Sequence, residues 1–503
     1  MLKNLLQTFT WFCVVLFVCQ LATIGCVEEK NPAPETTPVT NEASSPATPV
    51  ESTPDSVPQG ASAEQERASA ENEDVDQLMH PFVPSWVVDA VFYQIFPERF
   101  RNGDSANDPT RESLEPNNVS DKWAITPWTA DWYARADWEQ EIGDNFYDAG
   151  VFHRRYGRDL QGVLDKLDYL QELAIKEIYF NPVFYGRSLH KYDGASMHHI
   201  DPYFGPDPSG DLEIIATETS DPETWKWTAA DKLFLELVEQ IHQRDMRLII
   251  DGVFNHTGRD FFAFADLREK QEESRYVDWY IVQNFDNPET PQNEFRYKAW
   301  WGIDTLPEFA DDFDRSDLHP GPKKYIFDIT RRWMDPDGDG DPSDGIDGWR
   351  LDVANEVPSG FWKDWNTLVR DLNPEAYTVG EFWGDARQHL IDGRFSATMN
   401  YHGFAYLVKG FLIDSRLTAH DFGMQLRERM EEYPREMRYA LQNLVDSHDT
   451  DRVASMIVNA SDENYLQPEK FDYDVSEVVS PRFTAAYSVE APDRSDRQIQ
   501  RMV

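Results

Sequence analysis

A chain of 503 residues with 40% hydrophobic content is long enough for one large catalytic domain with a satellite, or for two to three ordinary domains. Its 91 Asp and Glu against 47 Lys and Arg leave a net charge of −44, which argues against nucleic acid as a partner, because phosphate recognition needs a positive field. Sixteen Trp and 13% aromatics either fill a core or line a cleft in which flat apolar sugar faces stack on rings.

Residues 1–26 read as a targeting segment. Lys3 precedes an apolar run from Phe9 to Ile24 that is short for a spanning helix and sits where a signal peptide sits. The run ends in Thr23-Ile24-Gly25-Cys26, which resembles a bacterial lipoprotein processing site with Cys26 as the lipidated residue. The alternative is an ordinary N-terminal membrane anchor. All three cysteines (Cys13, Cys19 and Cys26) lie in this segment, so cleavage before Cys26 leaves one thiol and no internal disulfide. Val27-Glu28-Glu29-Lys30 follows and resembles a surface-export signal. Residues 27–80 are rich in Pro, Thr, Ser and Glu and lack the apolar content for a core, which predicts a disordered tether. The expected location is secreted and lipid-anchored to a bacterial membrane.

From residue 81 the pattern changes to strands alternating with amphipathic helices. Strand-like runs occupy 87–96, 175–184, 246–255, 346–353, 376–383, 395–401 and 441–447. Helix-like runs cover 160–174, 231–245 and 360–372. Such alternation predicts an α/β class with a parallel sheet, and seven strands suit an eight-fold (β/α)8 barrel. Polar residues fall at the strand ends: Asp251, Asn255 and His256; then Arg350, Asp352 and Glu356; then Glu381; then His448, Asp449 and Arg452. Barrel enzymes place their chemistry at the C-terminal ends of strands.

Asp352 and Glu381 are 29 residues apart, about one helix plus one strand, which puts them on neighbouring strands. A retaining glycosidase needs two carboxyl groups about 5–5.5 Å apart, one nucleophile and one acid/base. Asp352 is the candidate nucleophile, with Arg350 two residues earlier on the same side to keep it ionised and oriented. Glu381 is the candidate acid/base, its apolar neighbours Phe382 and Trp383 expected to raise its pKa. Asp449, beside His448, is the candidate for gripping sugar hydroxyls.

The segments DGVFNH (251–256), GWRLDVANE (348–356), EFWG (381–384) and SHDTDR (447–452) resemble the four signature regions of the α-amylase family, glycoside hydrolase family 13. The Val-Ala-Asn-Glu ending resembles the neopullulanase, cyclomaltodextrinase and maltogenic amylase branch, as does Leu306-Pro307-Glu308-Phe309. The resemblance implies Asp352 as nucleophile, Glu381 as acid/base and Asp449 as transition-state stabiliser. It implies substrate or site-support roles for Tyr192, Asp251, His256, Arg350, Glu356, His448 and Arg452. It also implies an inserted domain over 257–320, after strand 3. The expected activity is retaining hydrolysis of α-1,4 bonds, with α-1,6 bonds a second candidate, in maltodextrin, cyclodextrin, pullulan or starch. The alternatives are a glucanotransferase of the same fold and a non-catalytic α-glucan-binding lipoprotein.

Two calcium readings accompany it. Asn102, Asp104, Asn107 and Asp108 offer four oxygen-bearing side chains in a tight loop, as Ca²⁺ prefers, and the resemblance adds the Gly157 carbonyl and Asp159. Asp335, Asp337, Asp339 and Asp341 stand at alternate positions of a second acidic loop, which runs on to Asp344 and whose twelfth position is Ile346 instead of the Glu of an EF-hand. The alternative there is a solvated acidic turn. The resemblance also places residue 503 inside a seventh barrel helix, so that the eighth strand, its helix and a C-terminal β domain are expected to be missing.

Overall fold

The computed structural model describes residues 83–458 apart from 115–118, 130–133, 147–149 and 451. Cys26, the tether over 27–80 and the chain beyond 458 lie outside the described residues.

Six parallel strands form one sheet in strict chain order: β1 (Phe92–Ile95), β2 (Glu177–Phe180), β3 (Arg247–Gly252), β4 (Gly348–Leu351), β5 (Tyr377–Gly380) and β6 (Ala397–Thr398). Doubly wound open sheets reverse strand order at a switch point; unbroken sequential order is the order of a barrel. The predicted seventh strand joins by a single parallel bridge, Met399 to Gln442. Its pairing stops there because Asn400 turns the chain into a helix, its side-chain oxygen accepting the Gly403 N–H at 3.0 Å. A cavity of about 480 Å³ lies between β1 and residues 442–446, with Gln94, Tyr179, His448 and Arg452 on its walls.

Strands β2, β4 and β5 are buried at every residue, as expected when one face meets the barrel interior and the other meets helices. Among the helices of the described residues, α1 (Ala229–His242), α2 (Pro320–Met334) and α3 (Ser359–Leu372) pack their buried faces on the outside of the sheet. Helix α1 begins in a capping box, with the Thr228 hydroxyl accepting the Asp231 N–H at 3.1 Å and Asp231 accepting the Thr228 N–H at 3.0 Å. Its buried residues Ala230, Phe234, Leu237, Val238 and Ile241 recur at helical spacing, and each of the larger ones contributes roughly 1.5–3 kcal/mol by leaving water. Trp333, Trp349, Trp362 and Trp365 are fully buried, so these four Trp are core and not cleft.

Two excursions leave the sheet on the side of the strand C-termini. After β2 an antiparallel pair, Phe184–Gly186 with Gly194–Ile200, carries Tyr192 in its turn. After β3, residues 257–320 hold the helix Phe262–Lys270 and a small hairpin, Val282–Asn284 with Arg296–Tyr297. The second excursion returns to the barrel through antiparallel bridges His256 to Glu308 and Tyr280 to Phe309.

Candidate active site

The site is built by strand register. In the β3–β4 ladder Asp251 lies opposite Arg350, and in the β4–β5 ladder Leu351 lies opposite Gly380. The next residues out, Asp352 and Glu381, therefore emerge side by side. Arg350 is completely buried and serves three carboxylates at once. Its Nη1 lies 3.0 and 3.2 Å from the two oxygens of Asp251 and 2.7 Å from Asp352 Oδ1, and its Nη2 lies 3.0 Å from Glu381 Oε2.

The pairing of Arg350 with Asp352 expected from their spacing is present, and this geometry adds two further carboxylates to it. Burial pushes the Asp352 carboxyl well above its ordinary range; Arg350 pulls it down, while the charges of Glu381 and Asp251 push it up again. Burial likewise raises Asp251 against the pull of Arg350. One guanidinium cannot neutralise three buried carboxylates, so it orients Asp352 without guaranteeing its charge.

Glu381 is held by more than apolar neighbours. Besides Arg350, its Oε2 accepts the Val353 N–H at 2.9 Å, and its Oε1 accepts the Trp383 indole N–H at 3.1 Å. Val353 achieves this at φ 39°, a left-handed conformation that a β-branched side chain resists. The Trp383 ring is itself fixed by stacking on Tyr401 at 4.1 Å and 7°, and the Tyr401 hydroxyl donates to Ser447 Oγ at 2.9 Å.

On the opposite wall, the Tyr192 hydroxyl donates to Asp251 Oδ2 at 3.0 Å and lies 2.7 Å from His448 Nε2, and the two rings are parallel within 6°. Gln94 donates to His448 Nδ1 at 3.0 Å, which leaves the His448 proton on Nε2, facing Tyr192 and the Asp449 carboxylate 3.2 Å away. Burial holds His448 well below its usual pKa, with the Arg350 charge acting in the same direction, so this imidazole is neutral. His256 is buried, pushed down to about 3 by desolvation, and stacks on Trp300 at 5.3 Å. Trp300 in turn stacks on Trp301, which is 78% exposed. The half-buried Trp300 and the exposed Trp301 thus carry an aromatic stack from His256 out to the surface.

Asp352, Glu381, Asp251, Arg350, Tyr192 and His448 thus form one connected network, with Asp449 at its solvent edge. Glu356 and Arg452 are exposed and stand outside it. Sequence reasoning missed Tyr179, whose hydroxyl donates to Asp251 at 2.6 Å, together with Gln94, Tyr401 and the donor role of Trp383. Only Trp383 carried a signal, its adjacency to Glu381.

The two acidic loops differ. In the first, Asn102 donates to Asp108 at 2.7 Å, and both abut Gly157 at φ 66°, where a Cβ would meet Asp108 at 2.1 Å. Asn107 donates to the Gly205 carbonyl while its own side-chain oxygen is buried without a hydrogen-bond partner. Asp159 spends its oxygens on the N–H groups of Gly103, Asp104 and Gly162, and Asp104 caps Ala106. In the second loop, Asp335, Asp337 and Asp344 bring oxygens within 4.8 Å of one another. Asp335 Oδ1 and Asp344 Oδ1 are buried without a hydrogen-bond partner. Asp339 and Asp341 are not part of that cluster: they accept N–H groups two residues ahead, from Asp341 at 2.7 Å and Ser343 at 3.1 Å. Gly338 and Gly340 are left-handed, and the curled loop brings Asp344 to Asp335 and Asp337 while Asp339 and Asp341 stay apart.

Residues 94–220 and 228–471 match the family model for the alpha amylase catalytic domain. Neopullulanase 2 of Thermoactinomyces vulgaris is 37% identical over 369 residues, 73% of this chain and 51% of that protein. A cyclomaltodextrinase of Bacillus sp is 35% identical over 373 residues, 74% of this chain and 54% of that protein. Among solved structures, a cyclic alpha-maltosyl-(1→6)-maltose hydrolase from Arthrobacter globiformis superposes with a TM-score of 0.57 at 28% identity, covering 75% of this chain and 69% of that one. The chain spans about half the length of the curated relatives it matches. With its barrel order, its strand-end carboxylates and these matches in agreement, this chain belongs to the alpha-amylase family.

Proposed function

We propose that this chain is a retaining α-glucan hydrolase acting on maltodextrins, cyclodextrins or pullulan. The observation that carries the reading is the pairing of Asp352 and Glu381 at adjacent strand ends, both bound to the one buried guanidinium of Arg350. In the first half-reaction Asp352 attacks the anomeric carbon and the glycosidic bond breaks, with Glu381 donating a proton to the departing oxygen. In the second, Glu381 takes a proton from water, the water oxygen attacks the same carbon, and Asp352 is released. Asp449 grips hydroxyls of the distorted sugar, and Tyr192 supplies a ring for it to stack on. The names of the relatives, neopullulanase and cyclomaltodextrinase, support the substrate class. Proton NMR of the first products from cyclodextrin and from maltohexaose is expected to show the α-anomer appearing before mutarotation. Initial release of the β-anomer would overturn the double displacement. Products longer than the substrate at high maltotriose would reassign the chain to glucan transfer.

The second acidic loop is the better calcium candidate, because two buried carboxylate oxygens there lack hydrogen-bond partners; in the first, Asn107 supplies one such atom and Asn102, Asp108 and Gly157 stand beside it. Ca²⁺ in either would stiffen a loop without entering the chemistry. Chelation with EGTA is expected to lower Tm by several degrees, with recovery on adding Ca²⁺ and a smaller response in Asp344→Asn. A Tm indifferent to chelator and Ca²⁺ would refute both sites. We further propose anchoring through Cys26, tested by labelling with a fatty-acid analogue and its loss in Cys26→Ser.

A further inference from the structure

Away from the catalytic network, the strand Gly194–Ile200 carries two adjacent imidazoles, His198 and His199, with side chains 2% and 0% exposed. Both direct Nε2 at the same carboxylate oxygen, Glu218 Oε2; His198 lies 3.2 Å from it and His199 is hydrogen-bonded to it. Glu218 comes from the segment between the first excursion and α1, and its side chain is also buried. The far nitrogens of both rings are engaged as well. His198 Nδ1 lies 2.8 Å from the Tyr325 hydroxyl on α2, and His199 Nδ1 lies 2.7 Å from Asp231 Oδ2 on α1. Asp231 is in turn fixed by the Ile200 N–H at 2.8 Å and by Arg332 at 3.2 Å. Trp225 stacks flat on His198 at 4.3 Å and closes one side.

The ligand-capable atoms of His198, His199 and Glu218 all lie within 4.8 Å of one another. Metal-binding imidazoles characteristically donate their second N–H to a carboxylate or another oxygen, which fixes tautomer and ring plane. Here both rings have that outer partner, and both leave Nε2 aimed at a shared point beside a carboxylate. Two nitrogens and one carboxylate oxygen form a donor set of the kind Zn²⁺ takes, with a fourth position left for water or the second Glu218 oxygen.

We propose that His198 Nε2, His199 Nε2 and Glu218 form a buried binding site for a single divalent transition-metal ion, with Zn²⁺ the best match. Asp231 and Tyr325 are the outer partners that hold the two rings. A metal there replaces the Nε2 protons shared with Glu218 and staples the strand Gly194–Ile200 to α1 and α2. The role is structural. It differs from the two acidic loops in ligand type, since imidazole nitrogen selects Zn²⁺ or Co²⁺ over Ca²⁺.

The test uses the full chain stripped with a chelator, then loaded with zinc sulfate or cobalt chloride and desalted. Elemental analysis is expected to find one zinc per chain. Cobalt is expected to give the visible absorption of a tetrahedral, nitrogen-ligated ion, which an oxygen-only acidic loop does not give. His198→Gln and Glu218→Gln should each lose that zinc equivalent and that spectrum. Zinc should also raise Tm in the wild type, which needs no variant to fold. Failure of the wild type to retain zinc overturns the site. So does a retained equivalent, or a cobalt spectrum, that both substitutions leave unchanged.

Discussion

Asp352→Asn is expected to lower kcat/KM on maltodextrin by roughly 10⁴- to 10⁶-fold, the range seen when a covalent nucleophile is deleted from a preorganised site. The amide keeps the shape of the side chain but cannot form the glycosyl ester. Folding should survive, because Arg350 keeps Asp251 at 3.0 Å and Glu381 at 3.0 Å as partners. Glu381→Gln makes the informative contrast. Its loss on maltodextrin should also be large, since the leaving sugar oxygen needs a proton. On α-maltosyl fluoride, whose leaving group departs without protonation, the loss in bond cleavage should shrink by orders of magnitude. Asp352→Asn should be equally inactive on both substrates. If Asp352→Asn keeps a rate within tenfold of wild type on either substrate, it is not the nucleophile. Identical substrate dependence in the two variants would deny Glu381 the acid role.

Arg350→Met is expected to be the most destabilising single change at the site, by about 3–5 kcal/mol, because it leaves three buried carboxylates without a counter-charge. The loss should grow as pH rises. Burial already raises the carboxyl groups of Asp352 and Asp251, so the folded state holds their protons more tightly than the unfolded chain does. Such groups are tolerated at low pH and cost stability as pH rises above the ordinary carboxylate value. Without Arg350 that cost grows. Thermal unfolding at pH 5 and pH 8 should therefore show a larger deficit at pH 8. Arg350→Lys should recover little, since a point ammonium cannot span the three carboxylates that the guanidinium fork reaches. A deficit equal at both pH values would mean that Arg350 stabilises by packing and not by charge.

The barrel class was legible because its signal is local. Apolar runs such as Leu248–Ile250 end in polar residues, and amphipathic runs such as Phe234–Ile241 separate them; both patterns reflect burial on one side of an element. The candidate catalytic residues were legible for the same reason, each standing at the end of such a run. Where pairing is not local, the reading was weaker. The run 441–447 was expected as a strand, yet the structure pairs it through Gln442 alone. The acidic loop was read by alternation as Asp335, Asp337, Asp339 and Asp341. In the structure Asp335 and Asp337 draw together with Asp344, at the far end of the same loop, while Asp339 and Asp341 accept N–H groups from their own backbone.

By itself the sequence determined the parallel α/β order, the strand-end placement of Asp352 and Glu381, and the family resemblance, since all three are written in short segments. Only the tertiary structure decided how charge is shared. The Asp352-with-Arg350 pairing inferred from their spacing becomes, once β3, β4 and β5 lie in register, one guanidinium among three carboxylates, with Tyr179 and Tyr192 as further donors to Asp251. The same holds for the imidazoles of His198 and His199, which meet Glu218, Asp231 and Tyr325 from three separate elements. Ionisation and metal affinity depend on every charge and donor within a few ångströms, and that neighbourhood exists only after distant segments have packed.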